Sequence, residues 1–151
     1  MPISYDIHPE LNLIIYICTD IFTGGEFFKV GDIAAHDTRL KNEMKIIIDL
    51  FSAEIETSLS DLHLAIAKNK ELKQKGHEVG KTAVITKSTS LNFLGDALKL
   101  MSHDSPSNFG IFNNRHDAIR WLELPEKETM LFWDSAEIKA SEKSPVDKKR
   151  T

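Results

Sequence analysis

"FGIFNNRHDAIRWLEL", residues 109–124, changes its period half-way along. Phe109, Ile111 and Phe112 make a short apolar run of the kind a strand needs. After the polar residues Asn113 to Asp117, Ala118, Ile119 and Leu122 return at the spacing of one helical face. Asn114 is a preferred helix cap with an acid, Asp117, three residues on, so the polar knot starts a helix; Pro125 stops it soon after. A strand feeding straight into a helix is the repeating unit of an α/β fold, and the rest of the chain fits the same unit.

Upstream, "KIIIDL" (45–50) is β-branched and apolar throughout, as a strand buried on both faces should be, and "TAVIT" (82–86) is a second such strand. Between them, Ser58 and Asp61 have capping-box spacing. Leu59, Leu62, Ile66 and Leu72 share a helical face, four lysines load the C-terminal half, and Gly76 ends the helix. "KSTS" offers caps for a third helix carrying Leu91, Leu94, Leu98 and Met101. At the N-terminus, Ile3, Tyr5 and Ile7 alternate with polar residues. "HPELN" then turns the chain into "LNLIIYI", which gives an antiparallel hairpin. Thr23 and Glu26 cap a helix weakened by Gly31, "HDTRLKNE" connects it to the next strand, and "FSAEIET" reads as a loop. This order predicts a mixed sheet: an N-terminal antiparallel hairpin followed by parallel strands joined by crossover helices.

At 151 residues, 41% hydrophobic and 28% charged, the chain has the length for one domain around one core. That domain is expected over residues 1–133. From Asp134 onward few residues can pack, and 134–151 reads as a disordered charged tail. A net charge of −4, with basic residues clustered only at Lys148, Lys149 and Arg150, argues against nucleic acid as a partner. The single cysteine, Cys18, lies in an apolar run and reads as a small buried hydrophobe. No apolar run approaches the roughly 20 residues that span a bilayer, so no integral membrane segment is expected and the location read is cytoplasmic.

Four stretches in this order, "KIIIDLFSAEI", "SLSDLHLAIA", "KTAVITKS" and "FGIFNNRHDAIRWLEL", resemble the SpoIIAA-like family. That family shares the STAS-like fold and is compared in shape with CRAL-TRIO lipid-binding domains. The resemblance runs from about residue 3 to 124. It implies a small α/β domain that is not an enzyme, needs no cofactor, and acts through a protein partner, a homodimer or a bound apolar ligand such as a lipid. Anti-sigma-factor antagonists of this fold carry a phosphorylatable serine in an Asp-Ser-x-Gly turn. Ser58 falls near its place, but here the preceding acid and the following glycine are missing, and Ser58 reads as a cap.

Loops leaving the carboxyl ends of parallel strands gather on one edge beside helix N-termini, which favour anions. Here they bring Ser58 and Ser60, then Lys87, Ser88, Thr89 and Ser90, then Asn113, Asn114 and Arg115, with Arg115 as the forked donor for a ligand anion. These are the candidate ligand contacts. The six histidines lack metal-ligand spacing, and His116 and Asp117, adjacent on a helix, point about 100° apart and cannot form an oriented pair, so neither a metal site nor a catalytic residue is assigned. If Trp133 is not tucked against the domain, Met130 to Trp133 make an exposed apolar stretch that invites a partner.

Overall fold

The computed structural model describes residues 3–41, 43–56, 80–87 and 109–142. Strands β1 (Ile3–His8) and β2 (Leu13–Cys18) form the expected antiparallel hairpin, in register from Ile3 opposite Cys18 to His8 opposite Leu13. One 3-10 turn at Pro9–Leu11 reverses the chain, closed by Asn12 at φ 53°, a left-handed conformation that asparagine tolerates. A two-residue strand β3 (Ile21–Phe22) precedes α1 (Gly24–Ala35), which Thr23 caps by accepting the Glu26 N–H at 3.3 Å. Strand β4 (Lys45–Asp49) follows, then β5 (Glu54–Ile55), β6 (Thr82–Ile85) and β7 (Phe109–Phe112).

Strands β2, β4, β6 and β7 are parallel, and the spatial order of the sheet is β1-β2-β4-β6-β7. This is the predicted mixed α/β architecture. The helices expected over residues 58–76 and 88–101 lie outside the described residues. One difference concerns "FSAEIET", read as a loop: Glu54 and Ile55 pair in parallel with Ile21 and Phe22 in a small second sheet. Two residues per strand are too few for alternation to be visible in sequence.

The pleat sorts the side chains onto two faces. Ile14, Tyr16 and Cys18 of β2 face α1 with Val84, Val30 and Ala34, whereas Leu13, Ile15 and Ile17 face the other way with Ile47, Ala83 and Ile85. On that second face lie α2 (Arg115–Trp121) and α3 (Glu126–Glu142). Strand β4 is fully covered on the second face alone. Ile47 is buried there, while Ile46 and Ile48 are half-buried on the α1 side, so the expected burial on both faces is met on one.

Asn114 caps α2 as predicted, its Oδ1 accepting the Asp117 N–H at 2.9 Å. The helix ends before Pro125 is reached, with Leu122 as C-cap and Glu123 left-handed at φ 57°. Pro125 opens the next helix instead, its carbonyl accepting the Thr129 N–H. Residues 134–142, expected to be disordered, continue α3. Small inward residues, Ala136 and Ala140, let the helix lie close to the sheet, and Lys139 Nζ meets Asp6 Oδ2 at 2.9 Å. The domain boundary drawn after residue 133 therefore falls inside a packed helix. Residues 143–151 lie outside the described residues.

Gly80, just before β6, shows how closely the chain returns to β4. A Cβ there would sit 2.3 Å from the Met44 carbonyl oxygen, so only glycine fits the approach.

Beyond α1, Asp37 ties the connection to the hairpin. Its carboxylate receives the Arg39 Nη2 and Nε at 2.9 and 3.1 Å, the Arg39 backbone N–H at 3.0 Å and the Tyr5 hydroxyl at 3.0 Å. These donors, the Arg39 guanidinium foremost, hold the Asp37 carboxyl well below the usual carboxylate range. A depressed folded pKa contributes stability that is complete above the unfolded value, about 3.9, and is lost as the pH falls toward the folded one. Arg39→Gln is thus expected to cost stability at pH 7, with the gap to the parent narrowing below about pH 4 in urea titrations. A gap that stays constant down to pH 2 contradicts this account.

Candidate functional site

Because β2, β4, β6 and β7 are parallel, their carboxyl ends share one edge, the edge at which open α/β sheets place ligands. A cleft of about 650 Å³ opens there. Ile17, Cys18, Ile85 and Phe51 supply apolar walls, and Asp49, Asn113, Asn114 and Arg115 supply polar ones.

At its base is Asp49, the last residue of β4, 7% exposed. A buried carboxylate must have its oxygens satisfied. Oδ2 accepts the indole N–H of Trp133 at 2.8 Å, and Oδ1 accepts the Phe51 backbone N–H at 3.0 Å. Trp133 is wholly buried, so α3 is fastened across the cleft edge by a bond between residues 84 positions apart. The exposed stretch expected if Trp133 stayed free does not form: Met130 and Phe132 are half-buried, and of the four residues Leu131 alone is exposed.

Arg115, the first residue of α2, stacks on the same tryptophan, its guanidinium carbon 4.8 Å from the ring centroid. Nη1 meets Asp134 Oδ1 at 2.8 Å and Nη2 meets Glu137 Oε2. The fork that sequence analysis offered to an incoming anion therefore faces two carboxylates of α3. With Asp49, the Arg115 surroundings hold three carboxylates to one guanidinium, which disfavours a phosphate or carboxylate ligand at this spot.

Of the nine candidate contacts, Asn113, Asn114 and Arg115 come together on the cleft wall. Lys87 lies beside it, Nζ 5.2 Å from the centroid of the Phe51 ring. Ser58, Ser60, Ser88, Thr89 and Ser90 lie outside the described residues. Asn114 serves mainly as the cap, its Nδ2 also donating to Asn113 Oδ1 and Asp117 Oδ2. His116 pairs with Glu126 rather than with Asp117.

Cys18, on the cleft wall but 2% exposed, is shielded chemically as well: burial above all pushes its thiol pKa up, away from the reactive thiolate. Among the described residues no three His, Cys, Asp or Glu side chains are grouped to hold a metal ion, and no helix is long and apolar enough to cross a membrane.

The sequence pattern hides Asp49 and leaves the placement of Trp133 open. The available signal was an acid closing the run "KIIID", where a buried strand end demands a donor from elsewhere in the chain. Because Arg115 is stacked and doubly paired, Arg115→Ala is expected to lower stability by about 1 kcal/mol. Arg115→Lys should recover less than half of it, since lysine lacks the planar fork. Equal stability of all three proteins in guanidinium titrations would show that the guanidinium contributes nothing to holding α3.

No protein-family model matches this sequence, and no curated protein matches it. Among solved structures it is similar to an uncharacterized protein of the DUF3478 family with a SpoIIAA-like fold from Shewanella loihica PV-4. The two chains are 19% identical with a TM-score of 0.49, the likeness covering 80% of this chain and 91% of that one. The α/β class itself, with its antiparallel hairpin and parallel strands, is established by the strand pairing of this chain.

Proposed function

We propose that this chain is a non-catalytic α/β domain that works by binding another protein chain. Among the described residues, three polar groups of the carboxyl edge are engaged in holding the fold: Asp49 by Trp133 and the Phe51 N–H, Arg115 by α3, Asn114 by the α2 cap. The observation that carries the reading is on the outside of α3. Leu131 and Ile138 are 63% and 61% exposed and stand seven residues apart, hence on one helical face. Apolar side chains held in water along one helix face are available to pack against a partner.

A second reading, a carrier of a small apolar or neutral ligand, is favoured by one observation. The cleft has a volume in the range of small-molecule sites, and Ile17, Ile85 and Phe51 give it apolar walls. A small molecule retained in native mass spectrometry would favour this reading over the first.

The interaction reading is tested by photo-crosslinking in cells, with benzoylphenylalanine placed at position 131 or 138 and, as a control, at exposed Lys29 on α1, which covers the opposite face of the sheet. The expected result is an adduct of fixed mass from 131 and 138 and none from 29. Equal labelling from all three positions, or none from any, overturns it.

A further inference from the structure

Helix α3 has two faces of opposite character. Thr129, Trp133, Ala136 and Ala140 point into the core, and about 180° away Lys127, Leu131, Ile138 and Glu142 lie within roughly 60° of one line along the helix. This outer stripe is symmetric in the placing of its apolar residues and opposite in charge at its two ends. The midpoint in sequence between Leu131 and Ile138 is also the midpoint between Lys127 and Glu142. Two such helices laid antiparallel about a two-fold axis would set each apolar residue against an apolar residue and each charge against its opposite.

The positions of the two charges point the same way. Lys127 is in the first turn of α3, where the helix dipole is positive, and Glu142 is in the last, where it is negative. Each charge is poorly placed on its own helix, and an antiparallel neighbour brings it an opposite charge and the opposite dipole end. Asp134, next to the axis, is held by Arg115, so the two copies do not confront each other with unpaired aspartates.

We infer that the outer face of α3 binds a second copy of this chain, antiparallel about an axis between Asp134 and Ser135. Leu131 packs on Ile138 of the second copy and Lys127 pairs with its Glu142. The contact is isologous and therefore closes at the dimer. One helix face of 17 residues is about 25 Å long, so the dimer belongs to the small, weak class of interfaces. The inference rests on the interaction reading above and gives it a partner.

Sedimentation equilibrium of the full chain, in a concentration series into the high micromolar range, tests it by charge reversal. Lys127→Glu alone and Glu142→Lys alone each create two like-charge pairs, and each is expected to weaken the dimer by roughly tenfold. Mixing the two variants makes both pairs opposite again, and a heterodimer as strong as the parent dimer is expected. Leu131→Asp should leave a monomer whose circular dichroism is unchanged.

A parent chain that is monomeric throughout overturns the inference, as does a dimer indifferent to all of these substitutions. So does a weakened dimer that mixing fails to restore. An in-cell adduct with a different protein from positions 131 and 138, together with a monomeric parent, would sink this inference while leaving the interaction reading standing.

Discussion

A largely buried carboxylate at the end of a central strand, Asp49, ties together the sheet and the helices on its second face. Leaving buried carboxyl oxygens without partners is costly, so Asp49 must find donors, and the turn after β4 supplies one, the Phe51 N–H. The second donor is the indole of Trp133. Because that donor is rigid and large, satisfying one oxygen also brings a wholly buried aromatic side chain and the helix bearing it onto the sheet. Arg115 covers the outer side of the same ring and reaches the next turn of α3 through Asp134 and Glu137. One wall of the carboxyl edge is thus built as a layered contact of carboxylate, indole, guanidinium and carboxylates.

Much of the fold was legible because the informative segments are long and periodic. The capped helix after "FGIF", the Thr23 cap, the hairpin and the two apolar strands each carry a signal that tertiary contacts reinforce. The segment beyond Trp133 was misread because its core-facing residues are alanines. Ala136 and Ala140 add little to a hydrophobic pattern, while Asp134, Glu137 and Lys139 make the stretch look solvated, although each of the three forms an ion pair back to the domain. What makes α3 stable is long-range: a tryptophan whose partner is in another element, and charges whose partners are on α2 and β1.

The site was half legible for the same reason. Spacing and residue type identified the strand-end loops and brought Asn113, Asn114 and Arg115 to one edge. They could not reveal that the Arg115 fork already has carboxylate partners, since Asp134 and Glu137 are about twenty residues away in sequence and their helix was not foreseen. Asp49 was hidden within a strand pattern. The Arg115 and Asn114 groups that the sequence offers to a ligand anion hold helices in place instead.

The most direct measurement is a double-mutant cycle in stability between Asp49→Ala and Trp133→Phe, read by urea titration. Trp133→Phe keeps most of the aromatic volume and removes the N–H, so the coupling reports the buried bond itself. If that bond fastens α3 to the sheet, the double variant will be less destabilised than the sum of the single variants by about 1–2 kcal/mol. Additivity within about 0.5 kcal/mol would mean that the two side chains are independent and that something else holds the helix.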